Sequence, residues 1–346
     1  MTPSILESEI NEQPEVIRRL LERETENARS LAGTLRGQFD YVLIAARGTS
    51  DNAARYAQYL LGAHNHLPVA LAAPALFTLY RSPPALARAL VVGISQSGQS
   101  PDIVSVVTEG RRQGRPTIAI TNDPASPLAA AAEHILQLHA GPERAVAASK
   151  TYTASLCALA LISCALADDA GRVTHLRRLP ELMAGTLAEA APALALARRY
   201  RHMAHCAVIG RGYNYATAFE IALKIKELTR TVAEPYSSAD FRHGPIALVR
   251  EGFPVFVVAP AGVASEELAA LVADLRGRGA EILLISNDSS LLAQARLAMP
   301  LPANVPEWLT PMVAVLPGQL FSLALAREKG LDPDRPQGLS KVTETY

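Results

Sequence analysis

Two segments of this chain repeat one another in order. Ala45-Ala46-Arg47-Gly48-Thr49-Ser50 is answered about 165 residues later by Ile209-Gly210-Arg211-Gly212-Tyr213-Asn214, and a period that long makes each copy one folding unit. Arg111-Arg112-Gln113-Gly114 leading into Ile118-Ala119-Ile120-Thr121-Asn122-Asp123 is likewise answered by Leu275-Arg276-Gly277-Arg278-Gly279 leading into Leu283-Leu284-Ile285-Ser286-Asn287-Asp288. In the first copy, short apolar runs at 41–46, 89–94 and 117–120 alternate with longer helical patterns. That alternation is the signature of a parallel sheet with crossover helices, hence an α/β fold. The copies are placed at 36–185 and 186–335, with a tail from 336 to 346. Ahead of them Ile5, Leu6, Ile10, Ile17, Leu20 and Leu21 are spaced for one apolar helical face broken at Pro14, so residues 1–35 are expected to form a helical arm.

The 346 residues, 49% hydrophobic, suffice for two domains with separate cores. Lys+Arg and Asp+Glu are both 33, so no net field would gather nucleic acid or an acidic membrane, and neither is expected as a partner. Cys157, Cys164 and Cys206 lie in apolar surroundings without metal-ligand spacing, and their odd count argues against a disulfide framework. With Met1-Thr2-Pro3-Ser4 lacking a basic head and an apolar signal core, the expected location is the cytoplasm. The uncharged run 151–167 carries Thr153, Ser155 and Ser163 and reads as a buried helix. Only five basic residues are lysine (Lys150, Lys224, Lys226, Lys329 and Lys341), which hints at places where a compact amine is wanted.

Ser95-Gln96-Ser97-Gly98-Gln99-Ser100 follows directly on the apolar run 89–94 and precedes Pro101-Asp102-Ile103-Val104, a helix start. A buried strand that ends in small donor residues and enters a helix aims amides and hydroxyls at one spot, a phosphate cradle. An ordinary polar strand-to-helix loop is the competing reading. Gly48-Thr49-Ser50 supplies a second hydroxyl cluster on the carboxyl edge of the same sheet, where open α/β folds bind ligands. The counterpart in the second copy, Pro260-Ala261-Gly262-Val263-Ala264-Ser265, lacks most of the hydroxyls, so only the first copy is expected to bind phosphate.

These motifs, with Glu9-Ile10-Asn11-Glu12-Gln13-Pro14, Ala147-Ala148-Ser149-Lys150-Thr151, Leu223-Lys224-Ile225-Lys226-Glu227, Arg242-His243-Gly244-Pro245 and Lys341 in the tail, resemble the sugar isomerase (SIS) family. Within it the chain is most similar to the isomerase half of the glutamine–fructose-6-phosphate aminotransferases. The resemblance implies two tandem doubly wound SIS domains, flavodoxin-like three-layer sandwiches, with a functional C-terminal tail. It implies that Gly48, Thr49, Ser50, Ser95, Gln96, Ser97 and Ser100 hold a sugar phosphate, and that Val146 and Ala148 lie in the sugar-contacting loop, with alanine where the family commonly has serine. It gives Glu227 the proton shuttle and His243 ring opening, the latter acting in the site of the other subunit of a homodimer. Lys341 would close over the sugar, and Val342-Thr343-Glu344-Thr345 looks closer to stand-alone SIS-type deaminases.

Glu220, Lys224 and Glu227 fall at i, i+4 and i+7 on one helical face, so carboxylates and an amine project together. A surface salt bridge is the plain alternative. Burial of Glu227 among Ile221, Ile225 and Leu228 is expected, as suits a general base. Lys341 or Lys224 is assigned to stabilise the developing oxyanion, and neither a metal nor another cofactor is expected. The sequence shows no glutaminase segment, so the expected reaction is the sugar half alone. With water as co-substrate it converts glucosamine 6-phosphate into fructose 6-phosphate and ammonia. The alternatives are a deglycase or isomerase of another phosphorylated amino sugar or fructosamine adduct, and a non-catalytic sugar-phosphate sensor.

Overall fold

Every run predicted as a strand forms one, and each is flanked by helices that return the chain to the same end of its sheet. In the computed structural model, which describes residues 3–341, the first sheet contains β1 (Tyr41–Ala45), β2 (Val69–Leu71), β3 (Ala89–Ile94), β4 (Thr117–Thr121) and β5 (His134–Gln137). Its order is β2-β1-β3-β4-β5, with all neighbours parallel. The second sheet contains β6 (His205–Gly210), β7 (Val232–Ser237), β8 (Pro254–Val258), β9 (Glu281–Ser286) and β10 (Leu297–Pro300). Its order is β10-β9-β8-β6-β7, again parallel, which is the first connectivity read from the opposite edge. The duplication seen in a few motifs thus extends to every strand, including the short edge strands β2 and β5 that carry no clear sequence signal.

The longer helices are α1 (Ile5–Asn11), α2 (Gln13–Leu35), α3 (Thr49–Asn65), α4 (Pro101–Arg112), α5 (Lys150–Leu166), α6 (Leu179–Leu194), α7 (Asn214–Thr229), α8 (Ser265–Gly277) and α9 (Thr310–Glu328). Pro14 sits in the first turn of α2, where its missing amide hydrogen costs nothing. Residues 15–143, 150–178 and 340–341 form one compact unit around the first sheet, and 3–14, 144–149 and 179–339 form the other. Within the segment expected to form the arm, α1 belongs to the second unit and nearly all of α2 to the first.

Each unit has its own core. In the first, Val91 and Ala119 of the sheet pack with Ile103, Val106 and Val107 of α4. In the second, Ile209, Val255, Val257 and Leu284 pack with Leu271, Val272 and Leu275 of α8. The uncharged run read as a buried helix is α5, buried from Lys150 to Cys164. Among the described residues Glu307–Glu328 is the helical stretch long and apolar enough to cross a membrane, and 94% of its most apolar part is buried in the protein. On α9 the backbone of Gly318 lies against α7 so closely that an added Cβ would sit 2.4 Å from a carbon of Ile221.

Gly318→Ala is therefore expected to lower stability by about 1–3 kcal/mol through overpacking. Gly33→Ala, in open space on α2, should raise it by roughly 0.5 kcal/mol through helix propensity. Thermal melts of the two variants beside the parent check both signs. All three cysteines are free and buried. Burial pushes the thiols up, to about 12 for Cys164 and Cys206, so a disulfide reagent at pH 8 should label none in the native protein and all three after unfolding.

Candidate active site

The order β2-β1-β3 places a topological switch between β1 and β3, because the chain leaves β1 towards one edge of the sheet and β3 towards the other. The helices that follow these strands, α3 and α4, start there, and their first-turn amides have no partner within the helix. Thr49 and Ser50 form the first turn of α3 behind Gly48, whose φ of +53° turns the chain out of the strand. Ser100 occupies the N-cap of α4 without bonding its side chain to the helix, and Pro101 follows. Between them the loop is internally braced: Ser95 Oγ accepts from the amide of Gly98 (3.1 Å) and Ser97 Oγ from that of Gln99 (3.3 Å). Gly98 has φ +63°, and a Cβ there would lie 2.1 Å from Ser126 Oγ, so only glycine fits. Arg47 Nε donates to the buried Asp102 at 2.8 Å. This bond ties the residue before Gly48-Thr49-Ser50 to the first turn of α4, so both hydroxyl clusters share one small region, a tie the sequence did not reveal.

The equivalent switch in the second copy is filled from within. The amide of Ala261 donates to Asn287 Oδ1 (2.7 Å), that of Gly262 to Ser265 Oγ (2.7 Å) and that of Val263 to Glu307 Oε2 (3.2 Å). An acidic side chain thus stands where an anion would bind. The contrast extends beyond the missing hydroxyls: one amide of this loop is taken by a carboxylate, whereas the loop of the first copy is braced by its own serine hydroxyls.

On α7, Lys224 Nζ lies 3.5 Å from Glu220 Oε1 and donates to Glu227 Oε2. Glu220 and Lys224 are buried, whereas Glu227 keeps 23% of its side chain exposed. The burial expected of Glu227 falls on Glu220 instead. Glu227 is about 20° short of two full turns from Glu220 and lies at the rim of the same face. This is an ion triad with a buried centre, and the surface salt bridge is excluded for Lys224 and Glu220.

Val146 and Ala148 are half-buried and alternate with buried Ala145 and Ala147. Their segment is held by the buried carboxylate of Glu9, which accepts from the amides of Arg144 (2.5 Å) and Ala145 (3.3 Å). Gln13, also buried, donates to the carbonyl of Ile10 (3.0 Å) and to Gln319 Oε1 (2.7 Å). Within Glu9-Ile10-Asn11-Glu12-Gln13-Pro14, Glu9 thus braces the segment that carries Val146 and Ala148, and Gln13 ties the turn to Gln319 of α9. His243 is exposed, just beyond the short helix Ser238–Arg242 that follows β7. Lys341 is ion-paired, its Nζ 2.9 Å from Glu143 Oε2, while Val342-Thr343-Glu344-Thr345 lies outside the described residues. Of the five lysines, Lys150 and Lys224 are buried, Lys329 donates to the carbonyls of Met203 and Thr229 and to Thr231 Oγ1, and Lys226 is exposed.

The sequence pattern of the SIS domain matches residues 39–164 and 200–328, one match on each copy. The chain belongs to the SIS domain family. The glutamine–fructose-6-phosphate aminotransferase [isomerizing] of Pyrococcus horikoshii is 34% identical over 338 residues, which is 96% of this chain and 56% of that protein. This chain thus spans little more than half the length of such relatives. A Silicibacter pomeroyi chain with the provisional name phosphosugar isomerase superposes with a TM-score of 0.86 at 35% identity, covering 96% of this chain and all of that one. The C-terminal domain of the Francisella tularensis glucosamine–fructose-6-phosphate aminotransferase gives 0.86 at 26% identity, over 96% and 98% of the two chains. Glucosamine-6-phosphate deaminase of Thermotoga maritima, at 22% identity and 0.82, covering 99% of this chain and 100% of that one, shares the fold.

The triad makes a stability prediction separate from catalysis. Lys224→Met removes the ammonium beside the fully buried Glu220 and should cost about 3 kcal/mol, whereas Glu227→Gln, at the exposed rim, should cost under about 1 kcal/mol. Denaturation of the two variants measures the difference.

Proposed function

We propose that the chain acts on a phosphorylated amino sugar, converting glucosamine 6-phosphate and water into fructose 6-phosphate and ammonia. The observation that carries this reading is the contrast between the two switch points: the first gathers hydroxyl side chains at two helix starts, and the second receives the carboxylate of its own Glu307. A phosphate held by Thr49, Ser50, Ser95, Gln96, Ser97 and Ser100 leaves the sugar carbons free to react. The family relationship supports a sugar phosphate as the ligand.

In this reading His243 moves the proton that opens the pyranose ring. Its exposure on the subunit surface suits an imidazole that serves the site of a second copy in a homodimer. Glu227 then carries a proton between the first two carbons. Its contact with Lys224 and its residual exposure suit a carboxylate that takes and returns protons while the buried ammonium keeps its place. Lys224 or Lys341 offsets the negative charge that develops on the sugar oxygen. Water adds to the imine carbon, the carbinolamine collapses, and the nitrogen leaves as ammonia while the carbonyl remains on the ketose. Val146 and Ala148 face the sugar, and alanine at 148 removes a hydroxyl contact.

Purified protein supplied with glucosamine 6-phosphate should release ammonia and fructose 6-phosphate in equal amounts. Tight binding with no release, there or with galactosamine 6-phosphate, would overturn the deaminase in favour of a sensor or of another amine adduct. Within the active protein, Ser97→Ala should raise KM by about tenfold with kcat little changed. Glu227→Gln should lower kcat by about a hundredfold or more at nearly constant KM. A fully active Glu227→Gln removes Glu227 from the role of base.

A further inference from the structure

Glu143 has no part in the chemistry above, yet its carboxylate is completely buried. A buried carboxylate costs several kcal/mol unless donors surround it. Here the donors are the amide of Thr151 (3.1 Å) and its Oγ1 (2.8 Å), in the first turn of α5, and the ammonium of Lys341 at 2.9 Å. Lys341 is 190 or more residues away in sequence and keeps only 25% of its side chain exposed, so this carboxylate fixes a tail residue in a defined place.

The segment that presents Glu143 is itself anchored to the phosphate loop. Asn122 donates its amide hydrogen to the carbonyl of Gln96 (3.2 Å), accepts from the amide of Ala140 at Oδ1 (2.9 Å) and donates from Nδ2 to the carbonyl of Gly141 (2.8 Å). On its other side His139 pairs with Glu24 of α2 at 2.5 Å, and Arg19 Nε donates to the carbonyl of His139 at 2.7 Å. Hydrogen bonds therefore run from Gln96 through Asn122 to Ala140 and Gly141, two residues before Glu143, and from Glu143 to Lys341.

We infer that Glu143 is the docking residue of the C-terminal tail, a positioning residue that holds the Lys341 amine at a fixed place beside the phosphate-binding loop. The inference rests on the reading in which Lys341 serves the sugar reaction, but the docking itself is a separate physical claim. Thr151 donates to the same carboxylate and keeps it oriented toward the tail.

The chain of 346 residues tests it by brief trypsin digestion in the native state, followed by intact mass. Cleavage after Lys341 removes residues 342–346, and Glu143→Gln should accelerate it by about tenfold or more because the tail opens locally. In the same variant kcat on glucosamine 6-phosphate should fall to the level of Lys341→Met, the double variant should fall no further, and KM should stay within about twofold. An unchanged cleavage rate overturns the inference. If Glu143→Gln does not fold, acetylation of the parent decides: Lys341 should react well below the rate of exposed Lys226, and equal rates overturn the docking. Accelerated cleavage in a protein whose parent turns over no amino-sugar phosphate keeps the docking and discards the proposed reaction.

Discussion

A parallel strand cannot be joined to its neighbour by a tight turn, and most of what this chain can do descends from that constraint. Each strand must be followed by a crossover, so helices begin at the carboxyl edge of the sheet with amides that have no partner inside the helix. Where successive crossovers leave in opposite directions, two helix starts face the same space. In the first sheet that space is bordered by Gly48-Thr49-Ser50 and Ser95-Gln96-Ser97-Gly98-Gln99-Ser100. The hydroxyls of Thr49, Ser50 and Ser100 stand at those two helix starts, and the loop between them carries no lysine.

Buried carboxylates brace the segments around these features. Asp102 takes Arg47, Glu9 takes the amides of 144 and 145, Glu143 takes Thr151 and Lys341, and Glu220 lies beside Lys224. In each case an acid gives up solvation and gains charge-assisted or backbone donors, and the gain is geometric definition of a loop or side chain as much as stability. An apolar residue of equal size could fill the same volume, but it could not hold an amide or an ammonium at a chosen point.

The strands at 41, 89 and 117, the buried helix after Lys150 and the helix start at Pro101 were legible because each rests on local periodicity or on a local helix-start signal. Strands β2 and β5 were not, since three or four edge residues with mixed burial leave no alternation to read. The hydroxyl clusters and the α7 face could be read from spacing. What distinguishes Glu220 from Glu227 could not, because burial at the end of a helical face depends on what α7 packs against rather than on its own sequence. Glu143 and Glu307 escaped for the same reason, as their partners stand 198 and 44 residues away.

Glu307 has a consequence for how this chain can change over time. Tandem copies invite unequal recombination, which tends to make them alike. Here exchange of the loop at 95–100 for that at 260–265 would remove the hydroxyl donors from the first sheet. The reverse exchange would set an open anion cradle against a resident carboxylate. The two loops thus carry opposite electrostatic characters at the same position of one fold.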